Sequence, residues 1–242
     1  MSDQTIRADR LLANLGYASR KEAGKLIRRG FLEIDGVAIA SPEEKLSLHQ
    51  LRTSRALFDG APLDPRPPLI ILLHKPAGYE CSRAGNGPVV FDLLPQRFNL
   101  RNPKLSVAGR LDVESTGLVL LSDDGHFVHK IISPNSHTPK TYIVTTEEPV
   151  TEETCTLFRS GAMMLKGEKK PLQPVEIEIL APCKVKMVLH EGRHRQIRRM
   201  FASYGNRVET LHRICIGAYE LSSLQEGCYR ILDATQQFTD IH

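Results

Sequence analysis

Residues 184–205 read KVKMVLHEGRHRQIRRMFASYG, and two local folds compete for them. As one continuous helix, His190, Glu191 and His194 would form an H-E-x-x-H zinc motif, with both imidazoles on one face and the carboxylate as general base. The flanks argue otherwise. Val185, Met187 and Leu189 alternate with Lys184, Lys186 and Val188 in the period of a strand, and Gly192 falls inside the motif. After it, Ile197, Met200, Phe201 and Tyr204 take the i, i+3, i+4, i+7 spacing of a helix that Gly205 can stop. The stretch therefore predicts strand, turn, helix. His190 then ends a strand, His194 sits in a turn, and no metal site is expected.

The rest of the chain extends this pattern. Strand-like segments fall at 69–73, 118–121, 141–145, 175–180, 185–189 and 208–216, and helical ones at 127–132, 152–160 and 196–204. Strand and helix do not alternate strictly, so the expected class is α+β, a mixed and largely antiparallel sheet flanked by helices, not a doubly wound parallel sheet. Upstream, Ser19-Arg20-Lys21-Glu22 has the form of a capping box and predicts a helix start. Ala23, Leu26 and Ile27 share one face of that helix, Lys21, Lys25, Arg28 and Arg29 the other, and Gly30 is placed to end it. FLEIDGVAI (31–39) turns at Asp35-Gly36, a strong hairpin signal. The Pro- and Asp-rich run DGAPLDPRPP (59–68) reads as a connection. The expected organisation is a small N-terminal module over 1–60, a linker over 61–68 and a larger domain over 69–242.

Composition bounds the function. The chain has 242 residues, 41% hydrophobic and 25% charged, which is ordinary for a globular protein and sufficient for a sizeable core. Its longest apolar runs, such as 69–73, are far short of the roughly 20 residues that a membrane span needs. With a polar N-terminus lacking the apolar stretch of a secretory signal, a cytoplasmic protein is expected. Five dispersed cysteines without a C-x-x-C pair point to reduced thiols. The net charge is +4, yet Arg7, Arg10, Arg20, Lys21, Lys25, Arg28 and Arg29 outnumber Asp9 and Glu22 by five within residues 7–29. That concentration of positive charge suits an anionic partner.

Several residues invite a chemical role but have ordinary explanations taken singly. RHRQIRR (193–199) holds Arg193, Arg195, Arg198 and Arg199 and no acid. On the predicted helix Arg195 and Arg199 point away from the apolar stripe, as solvated charges do, while Arg198 lies on its flank within reach of a buried carboxylate. GRLDVESTGLVLLSDDG (109–125) sets Asp112 just before a buried strand, where a turn-forming aspartate is the ordinary reading. Tyr142 in Lys140-Thr141-Tyr142 reads as a strand aromatic with its hydroxyl at the rim. Gly85-Asn86-Gly87 lacks the spacing of a phosphate loop.

Taken together these blocks resemble the RsuA-type pseudouridine synthases, bacterial enzymes that isomerise a uridine of ribosomal RNA. The resemblance runs through RADRLLANLGYASRKEA, which is similar to an S4 RNA-binding module, then Lys75-Pro76-Ala77-Gly78, AGRLDVESTGLVLLSDDG, SPNSHTPKTYIV, EGRHRQIRRMF and GNRVETLHRICIG. It implies that Asp112 is the essential aspartate, that Arg198 pairs with it, that Tyr142 packs on the target base and that Arg110 enters the RNA as the uridine leaves it. It also implies a mixed sheet holding RNA in a cleft, with Arg7, Arg10, Arg20, Lys21, Lys25, Arg28, Arg29, Arg193 and Arg195 as RNA-binding residues. No cofactor or metal is implied, because the isomerisation involves no redox change. The SPNSHTPKTYIV block resembles the small-subunit enzymes more than the large-subunit ones. The expected partner is therefore small-subunit ribosomal RNA or an assembly intermediate, bound by a monomer. Large-subunit RNA, or a non-catalytic S4-type RNA-binding protein, is the alternative.

The chemistry implied sets physical requirements. The N1–C1′ bond breaks, the uracil turns, and C5 joins C1′, so the base must first be flipped out at a cost of a few kcal/mol. Water must be excluded from the sugar intermediate. Burial alone would neutralise Asp112, so a cation such as Arg198 is expected beside it.

Overall fold

In a computed structural model of the protein, residues 4–232 are described, and they divide into two compact units. Of the described residues, the first comprises 4–69 and 94–105, the second 70–93 and 106–232.

The first unit is built on β1 (Thr5–Arg7), α1 (Ala8–Asn14), α2 (Arg20–Arg28), β2 (Leu32–Ile34), β3 (Val37–Ala38), β4 (Lys45–Ser47), α3 (Gln50–Thr53), β5 (Ala56–Phe58), β6 (Ala61–Pro62) and α4 (Gln96–Asn99). The predicted capping box forms: Glu22 N–H donates to Ser19 Oγ at 3.3 Å and Ser19 N–H to Glu22 Oε2 at 3.2 Å. It frees α2 to bury Ala23 and Ile27 against Leu11, Leu12 and Leu15 of the α1 segment. Asp35 and Gly36 take positive φ, 51° and 81°, and close the β2–β3 hairpin in the register Ile34 with Val37. The expected linker at 61–68 needs correction. Ala61 and Pro62 are a strand paired with β5, and Asp64 is buried, taking Arg97 Nε at 2.6 Å and Nη2 at 3.0 Å. Arg101 adds a hydrogen bond to Pro65 O. These partners lie over thirty residues downstream in the sequence, so local composition could not reveal them.

The second unit holds β7 (Ile70–Lys75), β8 (Ser106–Ala108), β9 (Thr116–Ser122), α5 (Gly125–Ile132), β10 (Lys140–Thr146), α6 (Glu152–Ser160), β11 (Glu176–Ala181), β12 (Lys184–Leu189), α7 (Gln196–Ala202), β13 (Val208–Ile216), β14 (Tyr219–Glu220) and β15 (Tyr229–Leu232). Seven strands run in the order β11-β12-β10-β13-β9-β7-β15, with β8 beside β9 and β14 beside β13. Only the β9–β13 pairing is parallel among these strands, so the sheet is mixed and largely antiparallel. Residues 184–205 form strand, turn and helix, and the imidazole of His190 meets His137 O and Glu176 instead of lying on a helix.

Two cores sandwich parts of this sheet. Val144, Val185 and Met187 pack with Phe158 of α6 and with Met200 and Phe201 of α7. Ile70, Leu72, Leu118 and Leu120 pack with Ile131 of α5. Burying each such side chain contributes roughly 1.5–3 kcal/mol. Val119 and Leu121, on the opposite side of β9 from Leu118 and Leu120, are also 0% exposed, so β9 is covered on both faces. It is a rigid base for the turn that precedes it. No described helix is long and apolar enough to cross a membrane.

Candidate active site

Residues 109–115 enter β9 as an irregular turn, and five of its main-chain groups are held from outside. Arg213 Nη2 donates to Gly109 O at 2.7 Å and Nη1 to Arg110 O at 3.3 Å. Leu111 N–H donates to Cys81 Sγ at 3.4 Å. Lys75 Nζ donates to Val113 O at 3.1 Å and Ser115 O at 2.6 Å, and Gly78 N–H also reaches Val113 O. Ser115 N–H closes the turn on Asp112 O. At Gly117, with φ +108°, a Cβ would lie 2.2 Å from Arg213 O, so only glycine lets β9 pass β13 this closely.

Two buried cations therefore support the turn. Arg213 is 1% exposed and Lys75 0%. Arg213 Nε also bonds Leu118 O at 2.8 Å, and the third acceptor of Lys75 is Pro76 O at 2.9 Å. Three carbonyl acceptors match the three protons of an ammonium, so Lys75 sits in this site charged. Burial pushes its pKa down, with Arg213 adding to this, while its interactions with Cys81, Glu114 and Asp112 act the other way. Burial raises the Cys81 thiol.

Asp112 lies at the centre of this turn, half-buried, and its carboxylate makes no hydrogen bond or ion pair among the described residues. The expected pair with Arg198 is not formed. Arg198 Nη1 donates to Val208 O at 2.8 Å, Nε lies 3.6 Å from Glu114 Oε1, and Nε and Nη2 are buried without a hydrogen-bond partner. Glu114, two residues along, draws the arginines instead: Arg195 also binds its carboxylate. Burial pushes the Glu114 carboxyl up, but its own backbone amide, Arg195 and Arg198 outweigh this and hold it below the usual range. Arg198 thus reaches the turn that carries Asp112 with donor capacity still open.

Tyr142 stands opposite Arg213 in the β10–β13 register and opposite Met187 in the β10–β12 register. Its half-buried ring packs on the α6–α7 core with the Arg213 guanidinium 6.0 Å from its centroid. Arg110 is exposed and its guanidinium has no partner among the described residues. Asp112, Tyr142, Arg110 and Arg198 are thus linked by way of Arg213 and Glu114. Arg193 gives its donors to Glu168, Glu191, Lys170 O and Pro171 O.

Lys75, Cys81 and Arg213 were not assigned roles from sequence. Arg213 did leave a signal, because on a strand it shares a face with the buried Leu211, an inward position where an unpaired charge is rarely tolerated.

In the first unit, the candidate cations sort into two groups. Arg7 donates to Asp9 at 3.1 and 2.8 Å and to Glu43 at 3.3 Å, and Arg20 to Asp9 at 3.1 Å. The Arg7 hydrogen bonds, against burial and with help from Arg20, hold the Asp9 carboxyl below its ordinary range. Arg10, Lys21, Lys25 and Arg28 are exposed and form no salt bridge among the described residues, and Arg29 lies 5.1 Å over the Phe31 ring.

Comparisons with known proteins give the family of the chain. A family model described as RNA pseudouridylate synthase matches residues 69–203. The ribosomal small subunit pseudouridine synthase A of Salmonella typhimurium strain LT2 is 40% identical over 230 residues, covering 94% of this chain and 96% of that protein. That of Escherichia coli strain K12 is 39% identical over 230 residues, with the same coverage. A solved structure described as a pseudouridylate synthase matches at a TM-score of 0.66 and 37% identity, across 96% of this chain and 97% of that one. The chain belongs to the RNA pseudouridylate synthase family.

Proposed function

We propose that this protein converts one uridine of small-subunit ribosomal RNA to pseudouridine, with Asp112 as the group that acts on the flipped nucleotide. The observation that carries this is the combination at residues 109–115: a backbone held at five main-chain groups by Lys75, Cys81 and Arg213 and, in its middle, a carboxylate that makes no hydrogen bond or ion pair among the described residues. A turn-forming aspartate needs no such scaffold. A reacting carboxylate does, because misplacement by about 1 Å can lose on the order of 10²-fold in rate.

In this reading Lys75 and Arg213 supply a fixed positive field beside the turn that carries Asp112, in a site that must exclude water. The open donors of Arg198 turn to the carboxylate or to the incoming nucleotide. Tyr142, backed by the core, offers its ring to the uracil, and Arg110 fills the space the base vacates. The exposed cations of α2, in a module of the S4 kind, contact RNA phosphates and position the substrate without reading its sequence. Such a substrate is met in the cytoplasm.

The test is tritium release from small-subunit ribosomal RNA labelled at uridine C5, since forming the C5–C1′ bond expels the proton from C5. Wild type is expected to release one tritium per RNA at a single site. Asp112→Asn is expected to release none while its RNA affinity stays within about threefold of wild type. Turnover by that variant overturns the assignment of Asp112; RNA binding without release by wild type would leave a non-catalytic binding protein.

A further inference from the structure

Between α6 and β11, residues 161–175 form neither helix nor strand. An ordered connection of this length inside a compact unit is uncommon and is usually there for a purpose. Its apolar residues Met163, Leu165, Leu172 and Val175 are 7% exposed or less and belong to the α6–α7 core. Its tip, KGEKK (166–170), stands out from that base, with Lys166, Lys169 and Lys170 exposed.

The tip is held by Arg193 and Arg199 of the 193–199 segment. Arg193 Nη1 donates to Glu168 Oε2 at 3.2 Å and to Lys170 O at 2.8 Å, and Nη2 reaches Pro171 O. Arg199 Nη1 donates to Glu168 Oε1 at 2.8 Å and Nη2 to Lys166 O at 2.8 Å. The only acid of the tip is therefore neutralised by two guanidiniums, and these hydrogen bonds, Arg199's first, hold its carboxyl below the usual range. Lys166, Lys169 and Lys170 are left without an acidic partner among the described residues. Solvated loop lysines are commonplace, but they do not need two part-buried arginines to fix the backbone beneath them. The same segment, through Arg195 and Arg198, holds Glu114 beside Asp112. The tip and the Asp112 turn thus share one support.

We infer that residues 166–170 form a preorganised phosphate clasp, in which Lys166, Lys169 and Lys170 hold the sugar–phosphate backbone of RNA flanking the nucleotide presented to Asp112. The inference rests on the RNA-modifying reading above. Lysine suits the task as a mobile point charge, and fixing the backbone in advance removes part of the ordering cost of binding.

The experiment compares the full-length chain with the triple variant Lys166→Ala/Lys169→Ala/Lys170→Ala and with the corresponding triple lysine-to-arginine variant. RNA binding is measured by anisotropy across a salt series, and tritium release gives kcat and KM. Loss of three phosphate contacts is expected to lower the log–log salt slope by about 2, at about 0.7 per contact for single-stranded RNA. KM should rise about tenfold or more while kcat falls far less, and the arginine variant should restore both slope and KM. A wild type that binds RNA and turns it over, with an alanine variant of unchanged slope and KM, overturns the clasp alone. A wild type that binds no RNA overturns the parent reading and the clasp with it.

Discussion

Lys75 and Arg213 on one side, and Lys21, Lys25 and Arg28 on the other, are the same two residue types in opposite employment. The first pair is at most 1% exposed and gives its hydrogen bonds to main-chain carbonyls of residues 76, 109, 110, 113, 115 and 118. The second set is exposed on α2 and bridges to no acid among the described residues. A cation facing carbonyls fixes a shape, whereas a cation facing water is available to a polyanion. The arginines of residues 193–199 fall between, since most of their donors meet Glu114, Glu168, Glu191 and nearby carbonyls. A basic run in a sequence therefore does not by itself mark a nucleic-acid surface; the acceptors it meets after folding decide.

The largest expected effect comes from the inward set. Lys75→Met keeps the side-chain length but removes the donor from Pro76 O and Ser115 O and one of the two donors of Val113 O, at about 1–3 kcal/mol for each carbonyl left unpaired before relaxation. Urea denaturation should show a loss of about 3 kcal/mol or more, and kcat should fall on the order of 10²-fold as the Asp112 turn shifts. RNA affinity should move by less than about threefold. If affinity fell as steeply as kcat, the division between shape-fixing and partner-binding cations would be broken.

The outward set should do the reverse. Gln at positions 21, 25 and 28 retains helix propensity close to that of Lys and Arg. The triple variant is expected to lose about 2 units of log–log salt slope in RNA binding, and to lie within about 0.5 kcal/mol of wild type in urea. A large stability loss with an unchanged slope would mean that α2 uses its charges as the Asp112 turn uses Lys75.

The same contrast explains what the sequence made legible. Elements fixed by local chemistry were readable: the Ser19 capping box, the Asp35-Gly36 hairpin, and the long strands β7, β9, β10, β12 and β13 with their apolar periodicity. Strand β8, only three residues long, and β15, whose burial does not alternate, gave no such signal. The packing of Asp64 with Arg97 and Arg101 with Pro65 depends on partners far along the chain, which no window of sequence contains. At the site, the roles proposed for Asp112, Tyr142 and Arg110 rest on resemblance. The Asp112–Arg198 pair did not form, because Glu114 presents a nearer carboxylate, and the cations that do support the turn act on its backbone.

A third kind of cation on the same sheet offers the finest test, because pH alone creates it. His212 precedes Arg213 on β13 and so projects from the opposite face. Its Nδ1 shares a hydrogen bond with Thr116 Oγ1 at 2.8 Å, and its ring centroid lies 5.3 Å from that of His74, whose Nδ1 meets Leu224 O. Burial first, then the neighbouring His74, lowers its pKa below 6.5, with Glu226 opposing. Because the unfolded chain then binds the proton more readily than the folded one, stability is complete above about pH 6.5 and is lost as pH falls toward the folded-state pKa. Unlike Lys75, which meets three carbonyls, a protonated His212 has one hydroxyl and a second imidazole beside it, so charge here weakens the sheet. Urea midpoints at pH 7.5 and 5.5 should show a loss below about 1.4 kcal/mol per pH unit, and His212→Gln should flatten it. An equal slope in the variant would assign the acid sensitivity elsewhere, and would show that this face of the sheet tolerates a cation without the carbonyl shell that Lys75 and Arg213 require.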